Sequence, residues 1–339
     1  MADYVVESRL MNGEYLATLP FRDLQFETML SKSGGARFTM PLNAVQKLTL
    51  TELEEGRTEI HIARNGVKIY AGPLWDLDIS SSDNTVKATS ESLESYMELR
   101  QVEVDTEYNG VYGTAAWNLI NQTQTTNGTF YITRGTAVGA GGPAGLVKID
   151  AAEIIYDQLE NISDGALGFD WVITPDRVYN QYYPRINTRA KVVLEYPGSI
   201  VRYGLQRQGK YLRNKVRTIG PNGVLTDYVT DSTSISKYGV RHYAESKTDL
   251  KTTTLLNNNS ALVLAQRKLP KLVPTVSVKS TLINPFENDI TLGQITRVII
   301  NDGYVQYNED MRLVGFQTTV GKQGQESFIF YMNDLREGS

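Results

Sequence analysis

The 339-residue sequence contains no cysteine. This absence excludes disulfide bonds, thiolate nucleophiles and cysteine-based metal sites, so folding does not depend on an oxidising compartment. Histidine is scarce as well: His61 and His242 lie far apart in the chain, without a His or carboxylate at metal-ligand spacing. A Gly-x-Ser-x-Gly motif is also missing. The sequence therefore predicts no catalytic residue, no metal site and no cofactor.

Basic stripes and long apolar runs are missing too. The net charge is −4 and the sequence pI is about 5.5, which argues against a nucleic-acid-binding protein. The longest apolar runs span only a few residues, such as 298–300, whereas a membrane helix needs about 20. The N-terminus has no signal-peptide pattern. We expect a soluble protein that is made in a cytoplasm.

What the sequence does contain is a series of short alternating strands separated by turn residues. The clearest hairpin has Asn65 and Gly66 between two strands, because a type I′ turn needs positive φ at both central positions. Gly72 interrupts the second strand before the alternating residues Trp75, Leu77 and Ile79. Further turn positions are predicted at Asn222, Gly223, Asp302 and Gly303.

The predicted fold class is mainly β with an α/β insert, an α+β arrangement in which two β-barrel-like domains flank a mixed region. The N-terminal domain is predicted over residues 1–104, the insert over 105–200, and the C-terminal domain, with one helix at about 253–268, over 201–339. Helix patterns near residues 115–120 and 151–159 distinguish the insert, and the glycine-rich stretch 135–145 predicts a loop.

A weak internal echo connects the two ends of the chain. Residues 68–72 end on Gly72 and lead into a strand, and residues 311–315 end on Gly315 and do the same. One interpretation is a duplicated domain, and the alternative is two unrelated glycine bends.

Three segments resemble sites for calcium binding, glycoside hydrolysis or phosphate binding, and each departs from the pattern that its chemistry needs. Asp76 and Asp78 begin a pattern of alternating oxygen ligands, but a calcium loop needs Gly at the sixth position and an acid at the twelfth, where Ser81 and Lys87 stand. The acidic residues at 52, 54 and 55 lie side by side in a polar link, which favours a solvated cluster over a glycosidase pair. The glycines at 139–145 lack the Lys-Ser/Thr ending of a phosphate loop.

The 20 tyrosines leave alternatives open. Tyr182 and Tyr183 in the insert are possible interface or glycan contacts, because aromatic rings stack on sugars and are enriched at protein interfaces. Packing in the core or at a sheet edge is the third interpretation.

The order of segments resembles the tail-tip hub, or minor tail, proteins of long-tailed phages (siphophages), a family related to contractile-tail baseplate hubs. The segments that carry the resemblance are residues 35–42 (GARFTMPL), 60–72, 92–100, 231–239 (DSTSISKYG), the helix predicted after residue 239, and residues 292–313. The resemblance covers most of the chain, and residues 105–200 match only in general character.

The resemblance implies a structural virion protein of the tail tip. Three copies would form a homotrimeric, pseudo-sixfold ring that joins the tail tube to the tip around the DNA exit channel. The implied partners are further copies of the chain, the tail tube or a distal tail protein, the tape measure and other tip proteins, with DNA only in transit. Because the chain stops soon after its last strand, we expect the hub alone.

Two rivals remain from other classes. A carbohydrate-binding tail module would use Tyr182 and Tyr183 to recognise the host cell wall. A cell-wall enzyme would use the acidic residues 52–55, and it predicts turnover of peptidoglycan or glycan.

Overall fold

The computed structural model describes residues 2–49, 51–138, 144–164, 168–247, 250, 252–321 and 324–335. The strands are, in chain order, β1 (Tyr4–Leu10), β2 (Tyr15–Leu19), β3 (Arg22–Met29), β4 (Gly35–Pro41), β5 (Thr58–Arg64), β6 (Val67–Ser80), β7 (Thr85–Glu91), β8 (Thr106–Val111), β9 (Thr133–Val138), β10 (Ala144–Ile149), β11 (Asp170–Ile173), β12 (Val178–Tyr182), β13 (Leu194–Tyr196), β14 (Ile200–Gln208), β15 (Lys215–Ile219), β16 (Val229–Thr230), β17 (His242–Ser246), β18 (Lys271–Val278), β19 (Ile295–Asp302), β20 (Val305–Val320) and β21 (Glu326–Asp334).

Helices are fewer. The α-helices are α1 (Leu42–Val45), α2 (Tyr112–Thr126), α3 (Ile155–Ser163), α4 (Ser232–Tyr238) and α5 (Thr253–Arg267), and the short 3-10 helices are Leu93–Met97, Gly209–Tyr211, Pro221–Gly223 and Pro285–Glu287. In the described part of the chain, no helix is long and apolar enough to cross a bilayer.

One 13-stranded sheet runs through both ends of the chain, so the predicted β-rich fold is confirmed. Its pairing order is β14-β18-β21-β20-β3-β4-β7-β6-β5-β1-β2, with β19 on β20 and β13 on β19. The two predicted barrels differ from this arrangement, because the pairings among the described strands do not close. The two halves join where β3 pairs antiparallel with β20, and we call this contact the seam.

Strand alternation builds the core on both sides of the seam. In β4, Ala36, Phe38 and Met40 are buried while their neighbours are more exposed, which is the period of two of a half-buried strand. In β21, Phe328 and Phe330 follow the same rule. Each half therefore has its own hydrophobic cluster, and Phe286 packs against both.

The same strand order occurs twice. In the first half β5-β6-β7-β4-β3 are consecutive neighbours, and in the second half β19-β20-β21-β18-β14 are. In each half the long strand changes partner midway: β6 pairs with β5 as far as Pro73 and then with β7, while β20 pairs with β19 as far as Arg312 and continues along β21. The recurrence includes β6 and β20, the two strands that carry the echo seen in the sequence.

The glycines of that echo are not equivalent positions, however. The register irregularity in β6 lies between Leu74 and Asp76, and that in β20 lies between Leu313 and Gly315. Pairing therefore aligns Asp76, not Gly72, with Gly315. The sequence echo identified the correct two strands with an offset of four residues.

The insert packs α2 and α3 against two small sheets, β10-β8 and β11-β12-β9, around a cluster that includes Leu119, Leu159 and Trp171. The loop predicted at 135–145 is wrong at both ends, because β9 extends to Val138 and β10 begins at Ala144. Backbone pairing with β12 and β8 overrides the poor strand propensity of glycine there. Residues 139–143 lie outside the described residues.

A small unit follows β14, in which α5 packs on the sheet β16-β15-β17. Helix α5 matches the predicted helix closely, since Thr252 caps its N-terminus and Pro270 follows its end. The C-terminal third has a second α-helix, α4, which was not predicted. It begins because the Asp231 carboxylate accepts a hydrogen bond of 2.8 Å from the Ser234 N–H.

Candidate assembly surface

The predicted Asn65-Gly66 turn lies between β5 and β6. Asn65 has φ of 50° and Gly66 has φ of 78°, so both central residues lie in the left-handed region that a type I′ turn needs. Arg64 and Val67 form the last pair of the ladder. The turn sets the register of the hairpin beneath it.

The other two predicted turns have different outcomes. Asn222 and Gly223 both have positive φ and lie in the connection between the antiparallel strands β15 and β16, where Ile219 also bridges Leu225. Asp302 is the last residue of β19 and pairs with Val305. The two-residue turn is therefore Gly303 and Tyr304, because glycine takes the first central position with φ of 56°.

Gly72 lies where neighbouring backbone leaves no room for a side chain, and Gly315 lies against the Met29 side chain. A Cβ on Gly72 would overlap the carbonyl oxygen of Glu91. A Cβ on Gly315 would overlap the Met29 sulfur and lie 3.2 Å from the Thr28 carbonyl oxygen, at the seam. Gly72 therefore allows the backbone of β6 to lie close to the end of β7.

Tyr182 and Tyr183 are both half-buried in the insert. Tyr182 ends β12 opposite Asp170 of β11, and Tyr183 packs against the cluster of the insert. The two rings therefore already contact the chain itself over part of their surface.

The two histidines lie apart, as predicted. His61 is buried in β5 with its Nε2 3.0 Å from the Glu59 carboxylate, and exposed His242 lies beside the Tyr228 ring. Among the described residues, no group of three His, Cys, Asp or Glu side chains could hold a metal ion. The Glu52 carboxylate accepts hydrogen bonds from Thr49, away from any cluster of paired acids.

A buried charged network joins the insert to the N-terminal half, and the sequence did not predict it. The Arg177 guanidinium donates to both oxygens of the Glu59 carboxylate and, over 2.6 Å, to the carbonyl oxygen of Phe130. The Tyr96 hydroxyl donates to the same carboxylate over 2.7 Å. Burial raises the pKa of Glu59, but the hydrogen bond from His61 and the charge of Arg177 outweigh it and leave that pKa below its usual value.

A second buried ion pair joins the insert to the C-terminal half. The Arg312 guanidinium of β20 donates to the Asp170 carboxylate of β11, which also accepts from the Ile186 N–H over 2.7 Å. Arg312 donates further to the carbonyl oxygen of Gly293 over 3.2 Å. The two networks hold the insert to both halves through charges whose hydrogen bonds are met inside the protein.

Several edges of the large sheet have no partner strand in the described part of the chain, and two of them belong to the recurring strand order. The β6 edge, residues 75–80, pairs with β7 on one side and with no strand on the other. The β14 edge, residues 200–208, pairs only with β18. An open edge presents unpaired N–H and C=O groups to another chain, which makes both edges candidates for assembly.

The fold has clear counterparts among solved structures, although no protein-family model and no curated protein sequence matches the chain significantly. The tail protein from Neisseria meningitidis MC58 superposes with a TM-score of 0.69 at 14% identity, over 99% of this chain and 98% of that one. The 43 kDa tail protein of prophage MuSo2 from Shewanella oneidensis gives 0.71 at 14% identity, over 99% and 98%. The chain has the fold of a phage tail protein.

A component of a bacterial secretion system has a similar fold. An Escherichia coli component of the type VI secretion system, described as similar to the bacteriophage T4 tail proteins gp27 and gp5, superposes with a TM-score of 0.52 at 11% identity, over 94% of this chain and 76% of that one. The resemblance to hub-like tail proteins that the sequence predicted is therefore confirmed at the level of the fold.

Proposed function

We propose that the protein is a structural component of the tail tip of a long-tailed phage. Three copies form a ring that joins the tail tube to the tip and surrounds the channel through which DNA leaves. The tail-protein fold supports this role over almost the whole chain. No residue acts as a catalyst in this proposal, and no cofactor is needed.

The recurring strand order is the observation that carries the proposal. Each chain contains two units with the same neighbours, joined at the seam. Three such chains arranged about a threefold axis present six similar units, which match the six subunits of a hexameric tube. The two units are the barrel-like hub domains of this proposal, over residues 1–104 and 201–339, and the insert 105–200 lies between them.

The partners follow from that position. One face of the ring docks to the tail tube or a distal tail protein, and the other docks to the tape measure and further tip proteins. A net charge of −4 suits a wall past which DNA slides, because a cationic wall would bind the phosphates and slow the strand. The protein belongs to the virion in this proposal and is synthesised in the bacterial host.

Mass and shape together test the ring. In light scattering coupled to gel filtration, we expect a species of three times the 37.9 kDa chain mass, or trimers that form when the tube protein is added. Electron microscopy of virion tails should show the protein as a threefold ring at the end of the tube. Virions whose tails lack the protein would overturn the proposal.

A further inference from the structure

The seam shows which partner strands suit the β6 edge and the β14 edge. Along β20, residues 315–320 pair with β3, so that Thr318 lies opposite Phe26 and Gln317 lies opposite Glu27. In the recurring order, β6 takes the place of β20, and β14 takes the place of β3. Within the chain β20 pairs with β3, whereas the corresponding edge of β6 has no partner strand among the described residues.

The pairing registers show which residues of β6 and β20 are equivalent. Leu77 pairs with Ala88, which pairs with Phe38, and Phe316 pairs with Phe330, which pairs with Val276. Leu77 is thus equivalent to Phe316, and Ile79 is equivalent to Thr318.

The same comparison of strand partners relates β14 to β3. Phe26 pairs with Ala36, and Leu205 pairs with Pro274. Ala36 and Pro274 lie two residues before the equivalent residues Phe38 and Val276, so they are equivalent as well, and Leu205 is equivalent to Phe26. The seam pair Thr318 and Phe26 therefore predicts a pair between Ile79 and Leu205.

The equivalent residues Thr318 and Ile79 differ in exposure. Thr318 is 0% exposed because β3 covers it, whereas Ile79 is 62% exposed although its neighbour Val86 in β7 is 0% exposed. Opposite residues of paired strands point to the same face, so Leu205 of a second chain would cover Ile79 and extend the core.

Charge on the two edges is complementary. The β6 edge carries Asp76 and Asp78, and both are exposed. The β14 edge carries Arg202 and Arg207, which are exposed as well. Opposite charges on two edges favour their encounter and discourage each edge from pairing with itself.

We propose that the β6 edge of one chain pairs antiparallel with the β14 edge of a second copy. In this pairing Ile79 lies opposite Leu205, Asp78 opposite Gln206 and Asp76 opposite Gln208. The two surfaces differ, so the contact is head-to-tail, and three copies close it into a ring. The inference rests on the proposed function, and it makes the contact between chains a copy of the seam within the chain.

Cysteine pairs test this contact, because the natural chain has no cysteine to interfere. The variants are Ile79→Cys with Leu205→Cys and Asp78→Cys with Gln206→Cys, which cover both kinds of position in an antiparallel ladder. The matched control is Ile79→Cys with Gln208→Cys, whose Cα atoms would lie about 11 Å apart, from an offset of ~10 Å along the strand and ~4.8 Å between strands. After mild oxidation of the assembled protein, a non-reducing gel should show loss of monomer to covalent oligomers for an in-register pair and not for the control.

Mixing two single variants, Ile79→Cys and Leu205→Cys, shows that the bond joins different chains if the mixture gives a covalent dimer and neither variant alone does. If the protein forms trimers but neither in-register pair links, the edge pairing is wrong and the proposed ring stands. If the control links as fast as the in-register pairs, the register is wrong. If the protein neither assembles nor occurs in tails, the proposed function fails and this contact fails with it.

Discussion

Arg177 and Glu59 form a bidentate ion pair although 118 residues of chain separate them. Glu59 has no exposed surface and Arg177 is 8% exposed, so neither charge is solvated by bulk water. Their partners are supplied by the protein: Tyr96 and His61 bond the carboxylate, and Phe130 accepts from the guanidinium. Removing one member leaves the other charged and buried.

Replacing Arg177 should therefore be costly. We expect Arg177→Met to lower the free energy of unfolding by about 3–5 kcal/mol, measured by urea denaturation, because an uncompensated carboxylate remains in the core. Lys68→Met is the matched control. Lys68 bonds Asp176 over 2.8 Å and links the same two segments at the surface, so its loss should cost about 1 kcal/mol or less. Equal losses for the two variants would contradict this account.

Gly72 should not tolerate a methyl group. In Gly72→Ala the added Cβ meets the backbone of Glu91, which can move only if β6 and β7 separate. We expect the free energy of unfolding to fall by an amount at the upper end of ~1–3 kcal/mol, measured by thermal or urea unfolding. Gly209→Ala serves as the control, since a Cβ there meets no atom within 4 Å, and it should stay within about 0.5 kcal/mol of the parent.

Glu94 should make stability depend on pH. Burial raises the pKa of Glu94, whereas the unfolded chain has a Glu pKa of about 4.3. Above that lower value the unfolded state releases a proton that the folded state retains, so the contribution of Glu94 to stability is complete at low pH and is lost as pH rises. The Glu94→Gln variant has no carboxyl group at this position to titrate. Its free energy of unfolding should therefore increase relative to that of the parent protein from pH 4 upwards.

Urea midpoints at several pH values between 4 and 8 measure this difference. Glu14→Gln, a substitution of an exposed carboxylate, is the control, and its midpoints should run parallel to those of the parent. A Glu94→Gln curve that also runs parallel would show that the buried carboxyl does not titrate differently in the fold.

The tyrosines of the insert provide a test of the carbohydrate-binding alternative. Because Tyr182 and Tyr183 are half-buried against β11 and the core of the insert, we expect Tyr182→Ala with Tyr183→Ala to weaken folding and to leave any retention on host cell-wall polysaccharide unchanged. Retention assays on purified protein that remains folded by circular dichroism measure this. Retention that is lost with the fold intact would favour the carbohydrate-binding module.

Local signals in the sequence predicted the local structure well. The Asn65-Gly66 hairpin depends on two adjacent residues that accept positive φ, and helix α5 depends on a cap and a following proline, so neither needs information from elsewhere in the chain. At Gly303 the observed turn lies one residue later than the predicted Asp302-Gly303 pair, and glycine takes the first central position, where φ is positive.

Contacts between distant segments were not predictable in the same way. The seam depends on β3 and β20 meeting at opposite ends of the chain, and alternation within a strand says which face is buried but not which strand lies beside it. Glu59 and Arg177 look like surface residues in sequence, since only the insert folding over β5 buries them. The predicted domain bounds at 104 and 200 stay predictions.

The seam also has a consequence for synthesis on the ribosome. Leu24 pairs with Val320, so the outer edge of β3 has no intramolecular partner until nearly the whole chain has been translated. At about 5–20 residues per second, this delay lasts on the order of tens of seconds. During that time the nascent N-terminal half holds its β3 edge open beside other nascent chains, and the last strands to emerge complete the part of the sheet that was made first.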